Sequence, residues 1–441
     1  MELTRRSFLK TAGGAGLGLA VAGSVTDLFS HPDGALTAAA RGAGAAGYGP
    51  LVPDPQGLLD LPPGFRYEVF SRHLVDTLSL GQPVPGAHDG MAAFPARDGG
   101  TYLIRNHELD VVAVDVEGAA PVPIRKGSVY DPSQYGGTTT IALTADNRVR
   151  WHRASLSGTT RNCAGGPTPW GTWLTCEETE RVIDGVKHGY VFEVDPVHDG
   201  DPRPIKGMGR FAHEAVAVNP RTGVVFLTED ASDPFGHVYR YRPRDPRPGR
   251  GNLHKGGDLA AMKVPGVTQD LSEIDQVGTT IPRVTWAPVG DVDPAEGDTV
   301  RASVKATPIQ KAEGCWWAPG GFFFVSSFGY DAARPHQGQL WRYDFKASSL
   351  TLVAEFGIGS AFDGPDNVTI SPWGGAFLCE DGDGASHVVG LADDGQPFAF
   401  ARNAGGDSEF AGACFAPDGR TFFVNIQDPG LTFAITGPFH R

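Results

Sequence analysis

Acidic, amide and thiol side chains recur at corresponding places in a set of short apolar hairpins. His88-Asp89, His213-Glu214, Glu313 and Asp366-Asn367 stand at the starts of four of them. Asn106-His107-Glu108, Cys176-Glu177-Glu178, Glu229-Asp230 and Glu380-Asp381 stand where second strands finish. The two ends of an antiparallel hairpin are neighbours, so these groups can converge from several hairpins at one mouth of a central channel. Carboxylates crowded in this way repel unless cations neutralise them, which predicts a multi-metal site. Oxygen-rich donor sets suit hard cations such as Ca²⁺. A thiolate beside two carboxylates, at Cys176-Glu177-Glu178, suits a transition metal such as iron. The candidate ligands at hairpin starts are Glu214, Glu313 and Asp366; those at hairpin ends are Glu108, Cys176, Glu177, Glu178, Glu229, Asp230 and Glu380. Cys163 and Cys315 sit among strand residues and read as packed thiols. His107 and His213 could be ligands or could orient a carboxylate from behind.

Six hairpins must position these groups. They run Met91 to Leu103, Cys163 to Leu174, Ala215 to Leu227, Cys315 to Val325, Val368 to Leu378 and Ala413 to Val424, each reversing on a turn rich in Pro or Gly. Such a repeat predicts an all-β, six-bladed β-propeller, each hairpin forming the middle of a blade. The interval Arg240 to Lys305, rich in Pro, Gly and Asp, reads as an insertion over one face, and Val111 to Tyr135 as a smaller one. The Trp170/Trp173 and Trp316/Trp317 pairs read as packing between blades.

The opening residues carry an address. Thr4-Arg5-Arg6-Ser7-Phe8-Leu9-Lys10 and the Ala/Gly-rich run to Ser24 resemble a twin-arginine export signal, with a small-residue cleavage site near Ala38-Ala39-Ala40. Residues 1–40 are thus expected to be a signal peptide, 41–57 a linker and 58–441 one propeller domain. The apolar run is short of the roughly 20 residues of a spanning helix, so no stable membrane span is expected. The twin-arginine machinery is the implied export partner, and the periplasm or the exterior the destination. Five cysteines show no paired spacing of a disulfide framework or zinc site. With Lys+Arg 37 against Asp+Glu 51 the net charge is −14, which excludes the basic footprint of a nucleic-acid binder. No nucleophile elbow, P-loop, His-Glu-x-x-His or dinucleotide fingerprint is present.

The segment from Asn162 to Glu178, with its run Asn-Cys-Ala-Gly-Gly-Pro-Thr-Pro-Trp-Gly-Thr-Trp-Leu-Thr-Cys-Glu-Glu, resembles the PhoX-type alkaline phosphatases. The likeness continues through Asn106-His107-Glu108, Gly209 to Ala215, Glu313-Gly314 and Pro365-Asp366-Asn367. It implies a propeller whose channel mouth holds a pair of iron ions and several Ca²⁺, and hydrolysis of small phosphate monoesters. On matching positions it implies ligands from Cys176 and the set Glu108, Glu177, Glu178, Glu214 and Glu313. Family sequences usually have Arg two positions before the residue matching Glu313, and here Lys311 stands there, a point charge in place of a bidentate fork. Lys311 is the candidate catalytic residue, and diester preference is an alternative to monoester. The rival readings are a calcium-dependent lactonase or esterase and a non-catalytic, calcium-stabilised binding propeller.

Overall fold

The computed structural model describes residues 47–111, 120–392 and 395–439. Their backbone is built from short strands, with helix confined to single 3₁₀ turns. Six antiparallel sheets follow one another along the chain, each starting with the strand that lies nearest the axis. Blade I runs His88–Pro95, Thr101–His107, Gly136–Leu143 and Val149–Thr159; blade II runs Asn162–Pro167, Trp173–Glu177 and Val191–Val194. The inner strands of blades III to VI are His213–Val218, Ala312–Ala318, Pro365–Ile370 and Phe410–Phe415. Each inner strand touches the next, and that of blade VI touches that of blade I, so the six close a ring.

The ring is fastened by the start of the chain. Arg66–Arg72 pairs with Leu431–Thr436 as the outer strand of blade VI, and Leu59–Asp60 pairs with Arg402 and Asn403 on the edge of blade V. The described part of the expected linker is also tied down. Asp54 accepts hydrogen bonds from the Leu58 and Leu59 amides and, at 2.6 Å, from the Tyr67 hydroxyl, while Tyr48 packs edge-on against Phe65, Phe398 and Phe400. The expected signal, residues 1–40, lies outside the described residues.

Apolar residues between blades form the cores. Phe226 of blade III stacks on Phe322 of blade IV, ring centres 4.4 Å apart, and Phe377, Phe400, Phe415 and Phe422 interlock between blades V and VI. Trp173 is buried against Ala92, Phe94 and Ile104 of blade I, as the inter-blade reading expects. The interval Arg240 to Lys305 is less of an insertion than its composition suggests. Gly257–Lys263 and Thr285–Pro288 extend blade III, and Thr280–Ile281 forms the edge of blade IV. Pro and Gly there mark turns between short edge strands, where a missing ladder donor is tolerated. Residues 112–119 of the smaller interval lie outside the described ones. No helix among the described residues is long and apolar enough to cross a membrane.

Candidate active site

One irregularity repeats in all six inner hairpins. Pairing of the first strand with the second skips two residues on the inner strand against one on its partner, a β-bulge. In blades I to V the first skipped residue is Asp89, Cys163, Glu214, Glu313 and Asp366 in turn. The second is Gly or Ala in every blade but the fifth, where it is Asn367, and at the glycines the reason is steric. A Cβ on Gly90 would lie 2.6 Å from Ala164 Cα, and one on Gly314 would lie 2.5 Å from the Asp366 carbonyl oxygen. Adjacent inner strands therefore meet backbone to backbone at the bulges, and the donors one residue earlier are gathered around the axis. A second repeated bond fixes the neighbouring residues. The amides of Glu108, Glu178, Asp230, Ser327, Asp381 and Gln427 donate to the carbonyls of Ala87, Arg161, Ala212, Lys311, Gly364 and Glu409, one pair per blade.

The result is a chain of overlapping donor groups. Asp89, Glu108 and Cys163 form one; Cys163, Glu178 and Glu214 the next; then Glu214, Glu313 and Asp366; then Asp366, Asp381 and Glu409. Within each group the donor atoms lie within 4.8 Å of one another. Each group could hold a metal ion, and shared members link them from blade I round to blade VI.

Electrostatics show the cost of this arrangement. Burial, followed by Glu108 and Asp366, pushes the Asp89 carboxyl well above the usual carboxylate range; burial, followed by Glu313 and Asp366, does the same to Glu214. The Cys163 thiol is likewise pushed up by burial and then by Asp89 and Glu214, and it donates to Glu214 Oε1 at 3.3 Å. Asp89 Oδ1 and Glu214 Oε2 are buried with no hydrogen-bond partner. Orphaned carboxyl oxygens beside a thiol and further carboxylates are the donor chemistry of bound cations, so the residues fit a metal cluster. Gln427 steadies one side, its amide donating to Asp89 Oδ2 at 3.0 Å and Glu108 Oε2 at 2.9 Å. Two protein cations join the ring. Arg161 Nη2 is 2.9 Å from Glu178 Oε2 and 3.0 Å from Glu108 Oε1, and Lys311 Nζ is 2.7 Å from Glu313 Oε1 and 3.0 Å from Asp230 Oδ2.

Of the candidate ligands, Glu108, Glu178, Glu214, Glu313 and Asp366 are brought together here, while Asp230 faces Lys311. Four others are elsewhere. Cys176 is buried in an apolar cluster with Val191, Met208 and Phe211, and the thiol that meets the acids is that of Cys163. Glu177, Glu229 and Glu380 pair directly across from inner-strand residues and bind the protein itself. Glu177 accepts from His188 Nδ1 at 2.7 Å and from the Thr160, Gly189 and Tyr190 amides. Glu229 accepts from the His237 amide, the Tyr239 hydroxyl at 2.7 Å and Arg301 at 2.5 Å. Glu380 accepts from the Asp363 amide and from the amide and ring of His387. These acids hold loops by filling their hydrogen-bonding capacity. Nor do the two histidines orient carboxylates: His107 binds the Gly86 carbonyl and Thr139, and His213 binds the Gly209 carbonyl and lies against Phe211.

A spacing in the sequence distinguishes the two thiols. Each bulge donor stands six residues before the turn proline: Asp89 and Pro95, Cys163 and Pro169, Glu214 and Pro220, Glu313 and Pro319, Asp366 and Pro372. Cys163 obeys that rule and Cys176 does not. In blade VI the first skipped residue is Gly412, five before Pro417, and it offers no donor. Arg161, Asp381, Glu409 and Gln427 carry no such signal of their own and emerge from the blade repeat.

Fold and site together define a propeller hydrolase whose inner strands offer oxygen and sulfur donors at the axis. The model of the alkaline phosphatase PhoX family matches residues 46–430. The chain belongs to that metal-dependent family and is a phosphatase propeller. Among solved structures, Pseudomonas fluorescens PhoX in complex with vanadate, a transition state analogue, aligns with a TM-score of 0.64 at 17% identity, covering 86% of this chain and 96% of that chain. A gluconolactonase from Xanthomonas campestris aligns at a TM-score of 0.46 and 11% identity, covering 90% of this chain and 99% of that one. No curated protein matches the sequence.

Proposed function

We propose that the protein is an exported alkaline phosphatase that hydrolyses small phosphate monoesters at a multi-metal site on the propeller axis. The observation that carries this reading is the set of five donors, Asp89, Cys163, Glu214, Glu313 and Asp366, on equivalent bulges with buried, unpartnered oxygens on two of them. Cys163 with Glu178 and Glu214 supplies the donor set suited to iron, expected as a pair, and the all-carboxylate groups suit Ca²⁺. When bound, such metals supply positive charge to phosphoryl oxygens and lower the pKa of water. The protein's own residues do the rest. Carboxylates on facing bulges fix where that charge sits, and Gln427 holds Asp89 and Glu108 in register. Lys311, tied to Glu313 and Asp230, presents an ammonium to the developing negative charge. Residues 1–40, read as a twin-arginine signal, would deliver the folded, loaded protein to the periplasm or beyond.

The test is elemental analysis of protein exported through its own signal, joined to a phosphomonoester assay at alkaline pH on the same sample. Iron with calcium and phosphate release supports the reading. Calcium alone without release would favour a lactonase or a binding propeller, and a metal-free active protein would sink the cluster.

A further inference from the structure

The residue two places before the bulge donor in blades I to V, and Glu409, three before the bulge in blade VI, occupy one repeated position, defined by the carbonyl that accepts the amide bond described above. Around the ring that position reads Ala87, Arg161, Ala212, Lys311, Gly364 and Glu409. In four blades it is left-handed: Ala87 at φ 44°, Arg161 at 50°, Lys311 at 44° and Gly364 at 51°. A non-glycine residue pays about 1 kcal/mol or more for this conformation. The only two cations at this position, Arg161 and Lys311, both carry that strain, and both bind acids of the donor groups.

Their placement relative to solvent is the informative part. The Arg161 side chain is 32% exposed, above Glu178 at 5% and Glu108 at 11%; Lys311 is 17% exposed above Glu313 at 1%. Both cations thus lie on the solvent side of the acids they bind. Between them, blade III brings Ala212, directly before His213 and Glu214, the acid with an orphaned oxygen, and Asp230, whose carboxylate is held by Lys311. Blade III, which carries Glu214, is thus flanked by a guanidinium on blade II and an ammonium on blade IV.

We propose that Arg161 is a substrate-binding residue that grips the phosphoryl group opposite Lys311, so that the two blades flanking Glu214 form a cationic clamp over the acidic ring. This rests on the phosphatase reading and adds to it a second contact for the substrate. An ammonium can meet one phosphoryl oxygen as a point charge, whereas a guanidinium matches a tetrahedral oxyanion in two places. Arg161 therefore supplies the geometric selection for a terminal phosphoryl dianion, and Lys311 supplies charge. The ion pairs with Glu108 and Glu178, and the bond from Nε to the Glu178 carbonyl at 3.0 Å, hold the guanidinium in place, and the phosphoryl group competes with these acceptors for it.

The test uses the metal-loaded full chain with Arg161→Gln and Arg161→Lys, reading KM and kcat for a phosphomonoester, the inhibition constant of inorganic phosphate, and metal content. Arg161→Gln is expected to raise KM and the phosphate inhibition constant about tenfold or more together, with metal content unchanged. Arg161→Lys is expected to recover part of the loss. Unchanged phosphate affinity at full metal content would overturn the proposal, as would a loss that only tracks missing metal. Phosphate affinity is also read by thermal shift, independently of turnover. If the loaded wild type binds phosphate through Arg161 but hydrolyses no ester, the phosphatase reading fails and the clamp stands.

Discussion

The same hairpins carry two kinds of acid, and they behave in opposite ways. Glu177, Glu229 and Glu380 sit at regularly paired positions and spend their oxygens on backbone amides, histidines, a tyrosine and an arginine. Asp89, Glu214, Glu313 and Asp366 sit on bulges, where the ladder releases the chain and neighbouring strands crowd together. Asp89 Oδ1 and Glu214 Oε2 are buried with no hydrogen-bond partner. An acid that the protein satisfies contributes to holding the fold; an acid that it leaves unsatisfied raises the free energy of the empty site and reserves that cost for a cation. The difference between the sets is one step of register.

The largest effect is expected from breaking the bulge set. Glu214→Gln should lose activity by more than the roughly hundredfold seen when only a ligand's support is disturbed, with a melting temperature close to that of wild-type protein stripped of metal. Full activity in this variant would show that the orphaned oxygen has no role. The paired set should give the reverse. Glu229→Ala leaves Arg301 with Glu180 alone, strips the Tyr239 hydroxyl and the His237 amide of their acceptor, and should cost about 2–3 kcal/mol in denaturant unfolding, while activity per folded molecule stays near wild type. The thiols sharpen the contrast within one blade. Cys163→Ser should lower bound metal measured by elemental analysis, whereas Cys176→Ser should keep its metal and lose about 1–2 kcal/mol for a hydroxyl among apolar neighbours.

The smallest effect is a pH dependence. Burial alone would lower the His188 pKa, but Glu177 at 2.7 Å and Asp131 at 3.4 Å outweigh it and hold the imidazolium above its usual range. A raised folded-state pKa gives stability that is complete below the unfolded value, about 6.5, and is lost as pH rises through the folded one. Glu177→Gln should narrow that window, so urea midpoints of variant and wild type should differ more at pH 6 than at pH 9. Equal differences at both would remove His188 from the account.

How much of this was legible follows from what a linear pattern can encode. Six Pro- or Gly-turned hairpins are local, so the propeller could be read from Met91 to Val424. The acids clustered at hairpin ends were legible as a class, and Glu108, Glu178, Glu214, Glu313 and Asp366 do meet. Their partition was not, because adjacent residues such as Glu177 and Glu178 differ only in which side of a strand they leave. Cys176, next to two acids in sequence, packs among Val191, Met208 and Phe211, and the thiol grouped with the acids is that of Cys163. Cys163 could have been found by aligning the hairpins on their turn prolines. Arg161 becomes visible only once Lys311 is recognised as its counterpart two blades away, a relation between residues 150 positions apart.

The pairing of Arg66–Arg72 with Leu431–Thr436 also sets a timetable. During synthesis the early strand has no partner until almost the whole chain has emerged, and the blade I donor Asp89 cannot be held by Gln427 until then. The donors on blades I to V are made in order, but the circle that gathers them is completed by its last blade. A chain stopped before residue 410 would carry all five bulge donors and still lack the inner strand that closes the ring, leaving acids and a thiol open to adventitious ions. On the proposed metal site, loading would therefore be coupled to finishing the polypeptide, with the closing blade as a checkpoint on assembly.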